Sequence, residues 1–542
     1  MFNMKNAPNS LENLSKEQLI SALQAAQDAL RERDNLIHIL HEKLRLVGAK
    51  TYGVRSEQRS NDPQADLFNE ADSLAQDADK DDLEASSASA DQPDGHTSES
   101  QSADTETITY ERRKRPGRRA LPEALPRVEI ELDIPESDKV CSCGCQKSRI
   151  GSDSNEQLEI IPAKLFVTRY LRHKYACPKC EDGVQIAEQQ PAMIPKSNAG
   201  PGLLAYVVTA KYQDALPLYR QEKIFQRHGV HLTRQTLANW IIKCSQALDP
   251  LLEQMERAMR SAPVILMDET TVQVNKEEGK APGSQSFMWI RRALAPPDDE
   301  NRHGKDITLY HYSRSRSGEV AAALLKDYHG ALMSDAYAGY NRVARAQQLT
   351  HALCWAHARR KFVDAEKSLP KGKKSPAITA ILNEIAKLYA IEKQIKTLNA
   401  EQKQQRRVQL ATPVLDKLHQ NLLKKANEAL PKSALGEAVN YTLKCWHGLT
   451  QYLTNGNIPI DNNGAENGIR PFVIGRKNWM FCDTVNGAHA SARLYSVIET
   501  AKANGLEPYQ YLRHLFTELP KAKSDAEVEK LLPWQIDPLT LE

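Results

Sequence analysis

Three acids in this chain occupy positions that a pair of hard cations would need. The run Val264-Ile265-Leu266-Met267 is continuously apolar, as a central strand buried on both faces requires, and it ends in Asp268. Ala331-Leu332-Met333-Ser334 reads as a second buried strand, ending in Asp335. Far downstream, the stretch from Ile460 to Arg470 puts Glu466 near the start of a helix. Mg²⁺ takes carboxylate oxygens and leaves its other positions to water and phosphate. Two such ions, about 3.5–4 Å apart, activate a nucleophile and stabilise the leaving oxygen of an in-line phosphoryl displacement. Taken singly, each acid reads as a cap or a surface residue. Glu269 follows Asp268, but alternation along a strand turns it to the opposite face. Asp461 rivals Glu466, yet Asp-Asn-Asn suits a helix cap or a turn.

A second chemistry lies in the cysteines. Nine occur in 542 residues, and five of them fall between Cys141 and Cys180. That is too few for a disulfide scaffold, and the clustering points to a metal in a reducing compartment. Cys177-Pro178-Lys179-Cys180 forms one thiolate half-site for tetrahedral zinc. Cys141, Cys143 and Cys145 compete for the other two places, across a strand-like stretch from Leu158 to Tyr170. His351, Cys354 and His357 form a further group, read as core packing with metal binding as the alternative.

The remaining elements must position these groups and bring a substrate to them. The net charge of +3 hides an asymmetry: residues 62–106 hold fourteen Asp or Glu against one Lys. A basic body with an acidic strip suits a polyanionic partner such as nucleic acid. Residues 1–59 carry a heptad seam, Leu23, Leu30, Ile37 and Leu44 with Leu19, Ala26, Leu40 and Val47, broken at Arg33. This pattern predicts a coiled coil for self-association, or else a helix packed on the chain's own body. Residues 60–127 read as a disordered acidic linker followed by a basic arm, Arg112, Arg113, Lys114, Arg115, Arg118 and Arg119, suited to phosphates. Residues 128–190 form the β-rich zinc module. Over 191–258 two helices, Leu216–Arg227 and Thr233–Ile242, flank His228-Gly229-Val230 and suggest a helix-turn-helix. Thr233 would cap the second, leaving Arg234, Gln235 and Asn239 near its N-terminal half. The catalytic region is expected over 259–487, with strands at 286–294 and 307–313 and a helix at 318–327. Between Asp335 and Glu466 lie 130 residues, and Ile378, Leu382, Ile385, Leu388, Ile395 and Leu398 predict a helical insertion over about 370–455. Arg470, Arg476, Lys477 and Trp479 form a basic patch with an aromatic, for phosphate and base contact. A terminal helical element, 488–542, closes the chain. No apolar run approaches the roughly 20 residues of a membrane span. The start lacks an apolar signal segment, so a cytoplasmic protein is expected.

The chain resembles the IS66-family transposases in several ordered stretches: Met267-Asp268-Glu269-Thr270, Ser334 to Tyr340, Cys354 to Phe362, Asp461 to Glu466 and Gly475 to Trp479. The resemblance runs nearly full length, including the zipper-like start, the cysteine module and the C-terminal helical element. It implies a DDE catalytic domain of RNase H-like α/β fold, using Mg²⁺ or Mn²⁺ on DNA, with Asp268, Asp335 and Glu466 as the triad. A homo-oligomer, at least a dimer, and small accessory proteins of the same element are implied partners, alongside the element's terminal repeats and target DNA. The first knuckle departs from the family's usual Cys-x-x-Cys, and Ala336 stands where many relatives have Gly. The competing expectation is a non-catalytic, zinc-containing DNA-binding regulator, which need not keep all three acids.

Overall fold

A computed structural model of the chain describes residues 15–52, 165–175, 185–186, 188, 190–295 and 305–541. Two units divide it, residues 56–171 and residues 1–55 with 172–542. In the first unit only 165–171 are described, and they contain no strand. The expected strand thus fails over Leu165–Tyr170: Phe166 and Val167 are 83% and 93% exposed, so no packed face selects an extended pairing. Leu158–Lys164, the five clustered cysteines and the basic arm lie outside the described residues.

The second unit opens with α1, Lys16–Tyr52. Its heptad side chains are exposed, Leu23 at 60%, Leu30 at 49% and Leu44 at 71%. Polar groups off that seam dock its C-terminal part: Glu42 is buried and accepts the Ala434 N–H at 3.0 Å, and Arg45 Nε donates to the Ser368 carbonyl at 2.6 Å. Two short antiparallel strands, β1 (Lys174–Tyr175) and β2 (Gln185–Ile186), follow. Next come α2 (Pro201–Tyr212), α3 (Leu218–Arg227), α4 (Arg234–Ala247) and α5 (Asp249–Arg260). The α3–α4 turn is made by Gly229 at φ +77°. Thr233 Oγ1 caps α4 by accepting the Thr236 N–H at 3.2 Å.

The sheet is built from β3 (Val264–Lys276), β4 (Gln285–Ala293), β5 (Ile307–Ser313), β6 (Ala331–Ser334) and β7 (Thr350–Leu353), in the order β5-β4-β3-β6-β7. β3, β4 and β5 form an antiparallel meander, while β6 and β7 run parallel to β3. Helices α6 (Gly318–Leu324) and α7 (Ala338–Ala346) flank β6, and α8 (Trp355–Lys367) follows β7. Asp268 does not end its strand, as the sequence suggested. β3 continues for eight residues beyond it, because β4 supplies partners as far as Gln273.

The insertion is helical as read: α9 (Pro376–Gln394), α10 (Ala400–Glu428) and α11 (Ala434–Thr450). Ile378, Ile381, Ile385 and Leu388 of α9 are buried, as are Ala411, Leu415, Leu418 and Leu422 of α10. The chain then re-enters the sheet through α12 (Asn463–Trp479) and β8 (Cys482–Thr484), which pairs with the end of β3. Helices α13 (Val485–Ala503), α14 (Pro508–Glu518) and α15 (Asp525–Glu529) finish it. α13 covers β5, the sheet's edge. Thr500 Oγ1 accepts from Thr308 N–H at 3.0 Å and Ser496 Oγ from Tyr310 N–H at 2.7 Å. Helix side chains thereby satisfy edge amides that would otherwise recruit another strand. No helix among the described residues is long and apolar enough to cross a membrane.

Candidate active site

Strand register brings the first two acids together. Val264, Ile265 and Leu266 stand opposite Ala331, Leu332 and Met333 in the parallel β3–β6 pair. Asp268 and Asp335 each lie two residues beyond the last of these rungs, and so stand level, Asp268 on β3 and Asp335 just past the end of β6. β6 stops at Ser334, whereas β3 runs on beside β4, leaving a notch in the sheet next to Asp268. Asp268 Oδ1 accepts the Glu269 N–H at 2.9 Å, and Asp335 Oδ1 accepts the Tyr337 N–H at 3.0 Å. Burial, then the neighbouring Glu269 carboxylate, push the Asp268 carboxyl up to about 7, and Glu466 and Asp335 add to the push.

The third acid arrives on the first turn of α12. Two glycines one turn apart let this helix lie close on the sheet. A Cβ at Gly464 would meet Leu266 Cδ2 at 2.7 Å, and one at Gly468 would meet Ile290 Cδ1 at 2.8 Å. Asn462 Nδ2 donates to the Met267 carbonyl at 2.8 Å, and Arg476 donates to the Thr271 carbonyl. α12 is thus stitched to β3 on both sides of Asp268.

Glu466 faces α8. His357 Nδ1 lies 3.6 Å from Oε1 and Arg360 Nη2 lies 3.6 Å from Oε2. Oε1 is buried without a hydrogen-bond partner. Among the described residues, Cys354, His357 and Glu466 form the group of three whose donor atoms all lie within 4.8 Å of one another. His351 stands apart from it: its Nε2 pairs with Ser334 Oγ at 2.8 Å, and burial holds its imidazole down at about 4. Cys354 Sγ accepts the Asn462 N–H at 3.1 Å, and burial pushes its thiol well above the usual range. The Cys354–Asn462 bond ties the start of α8 to the start of α12. Asp461 forms a turn with its own neighbour, accepting Asn463 N–H at 3.1 Å on Oδ1 and Asn463 Nδ2 at 2.9 Å on Oδ2.

Of the nucleic-acid candidates, Arg234, Gln235 and Asn239 are exposed on the N-terminal half of α4, and Arg470 and Lys477 are exposed on α12. Arg476 and Trp479 are not presented to solvent in the way the sequence suggested. Arg476 is committed to β3, and Trp479 packs edge-on against Phe472, ring centroids 5.5 Å apart, with Lys211 Nζ over its ring. Sequence reasoning passed over Asn462 and Arg360, although both sit inside stretches that were recognised, and it grouped His357 with His351 and Cys354 rather than with Glu466. It also passed over Arg316, in Ser-Arg-Ser-Arg-Ser, where no periodicity marks one arginine above the other.

Comparison with known proteins adds an independent finding. The family model described as "Transposase IS66 family" matches residues 196–490, and "IS66 C-terminal element" matches 496–534. "Zinc-finger binding domain of transposase IS66" matches 138–181, and "Transposase C of IS166 homeodomain" matches 39–130. Three uncharacterized proteins of Sinorhizobium fredii are similar over most of their length. y4jD is 34% identical, across 76% of this chain and 81% of its own. y4hP is 30% identical across 80% and 79%, and y4qI 31% across 76% of each.

Proposed function

The chain belongs to the IS66 family of transposases, with that family's zipper segment, zinc-finger domain and C-terminal element, and from that premise we propose that it cuts and joins DNA with Asp268, Asp335 and Glu466 as its catalytic triad. The observation that carries this reading is the level placement of Asp268 and Asp335, with Glu466 within electrostatic reach. The meander followed by two parallel strands supports an RNase H-like core.

The donor set fits Mg²⁺ or Mn²⁺. All three groups are hard oxygen ligands. Asp268 is held up by burial and by neighbouring negative charge, the second of which a cation would relieve, and Glu466 Oε1 is buried with no hydrogen-bond partner. The three acids do not gather within 4.8 Å of one another. Such a spread suits two ions better than one. When bound, the ions would polarise the attacking and leaving oxygens. The Tyr337 N–H fixes Asp335, and the Asn462 tie to Met267 fixes the start of α12, so neither ligand must search for its position. Water would attack the phosphodiester at the element's end, releasing a 3′-hydroxyl. That hydroxyl would then attack target DNA in the same site. Arg234, Gln235, Asn239, Arg470, Lys477 and the arm Arg112–Arg119 would hold the DNA. The zinc would be held by Cys177, Cys180 and two of Cys141, Cys143 and Cys145.

Cleavage and strand transfer, measured with the full chain, Mg²⁺ and the element's own inverted repeats, test the reading. Asp268→Asn, Asp335→Asn and Glu466→Gln should each abolish both while binding persists. Activity that survives Glu466→Gln and vanishes in Asp461→Asn would move the third role to Asp461.

A further inference from the structure

One network beside the triad has no part in the proposed reaction. Glu269 neighbours Asp268 on β3, and its side chain is only 3% exposed. Tyr340 donates its hydroxyl to Oε2, while Arg316 Nε and Nη2 both meet Oε1. Tyr340 is itself buried, edge-on to Trp289 with ring centroids 6.0 Å apart. The anchor is therefore rigid and internal. Arg316, by contrast, is 43% exposed, and its Nη2 lies 3.9 Å from Asp335 Oδ2.

Tyr337 closes the circuit. Its N–H holds Asp335, its hydroxyl donates to the Arg316 carbonyl at 2.6 Å, and its ring lies 4.3 Å beneath the guanidinium. That ring rests against the backbone of Gly339, where a Cβ would come within 2.4 Å of it. One guanidinium edge is thus clamped by Glu269 and one face by Tyr337. Arg316 Nη1 has no hydrogen-bond acceptor among the described residues, so the outer Nη1–Nη2 edge is available. A planar fork with a free edge matches two oxygens of a phosphate. Neutralising Glu269 alone would not require the fork to be aimed at Asp335.

We propose that Arg316 is a substrate-contacting residue that grips the non-bridging oxygens of the reacting phosphodiester, or of the phosphate next to it. Glu269, Tyr337 and Tyr340 are its positioning residues. This assignment rests on the triad reading above. The rival role is that of a counter-ion to the acids, with no DNA contact.

A substitution cycle separates the two roles. The full chain is given Mn²⁺ and duplexes of the element's own inverted repeat, each with one charged phosphate near the cleavage point replaced by a neutral methylphosphonate. At the contacted phosphate the replacement should slow the wild-type protein about 10²-fold more than it slows Arg316→Gln. Arg316→Lys should recover only part of the rate, because an ammonium cannot fork. Glu269→Gln, which leaves the guanidinium present but unclamped, should lose coupling at that same phosphate. If Arg316→Gln does not fold, Arg316→Lys keeps a charge opposite Glu269 and takes its place in the cycle. Additive effects at every phosphate would overturn the inference and leave Arg316 a counter-ion. Cleavage by Asp335→Asn in the same assay would instead overturn the triad, so the two failures are told apart.

Discussion

Asp268 and Asp335 are placed by three rungs of one strand pair, whereas Glu466 reaches the same place only after 130 intervening residues. The first two are set by the sheet's register, with the Tyr337 N–H holding the Asp335 side chain. The third depends on the insertion. Arg407 of α10 forms an ion pair with Glu392 at 2.7 Å, and its Nη1 donates to the carbonyls of Tyr452, Asn455 and Ile458 at 2.8, 3.1 and 2.9 Å. This one buried guanidinium shapes the loop that delivers Asp461 and α12. Positions set by register are inexpensive to keep, and positions set by a returning chain need dedicated polar anchors. The insertion is thus part of the site's scaffold, whatever else it contacts.

The sharpest way to break this comparison is to remove a ligand from either class. Asp335→Asn and Glu466→Gln should each lower cleavage about 10³-fold or more, a scale set by the loss of directed charge stabilisation. Equal losses would mean that the two routes of placement serve one function. Removing an anchor should instead separate them. Arg407→Ala strands Glu392 and three carbonyls in the interior and should cost about 3–5 kcal/mol in denaturant unfolding. Asn462→Ala loses one bond to β3 and should cost about 1–3 kcal/mol. Cleavage should fall in both while Asp268 and Asp335 stay in register, which hydrogen exchange at β3 and β6 would report.

A pH dependence sharpens the contrast further. The Asp268 carboxyl is held at about 7 by burial and neighbouring acids, against an unfolded value of about 3.9. Between these values the folded chain binds the extra proton, so this group favours folding at low pH and loses that contribution as pH rises through about 7. With metal removed by chelator, Asp268→Asn should therefore be more stable than wild type at pH 8, with little difference at pH 4. The smallest effect belongs to α1. Polar residues at Leu30 and Ile37, already exposed, should change the chain's stability by no more than about 0.5 kcal/mol. If the seam pairs copies of the chain, sedimentation of the same variant will show a shift toward monomer.

The two routes of placement also explain what the sequence reveals. Asp268 and Asp335 are legible because each follows an apolar run whose length and composition already mean a buried strand. The helical insertion is legible from Ile378 to Leu398 for the same reason, since periodicity reports a buried face. Glu466 is harder to read, because only the turn-like Asp-Asn-Asn separates it locally from its rival Asp461, and its partners His357 and Arg360 come from across space. Arg316, Arg360 and Arg407 carry no pattern of their own. Their roles come from what lies across space, and one arginine in a polar stretch looks like another. α1 shows the limit from the other side: its seam predicts a helix, and nothing in the seam says what covers it.

The notch beside Asp268 has a consequence for how the chain is made. After Leu266 meets Met333, β3 has no strand partner besides β4 until Val274 meets Cys482. In between, the side chains of Asn462, just before α12, and of Arg476, on α12, take the carbonyls of Met267 and Thr271. Asn462 lies 195 residues after Met267. At about 5–20 residues per second of synthesis, that edge waits about 10–40 s for its cover. Throughout that interval the extended stretch from Met267 to Gln273 presents open hydrogen-bonding groups to any other extended segment. The notch that α12 closes in the finished molecule is therefore a point of exposure on the nascent one. Ribosome-associated chaperones and aggregation between nascent chains would compete for it before the last helices arrive.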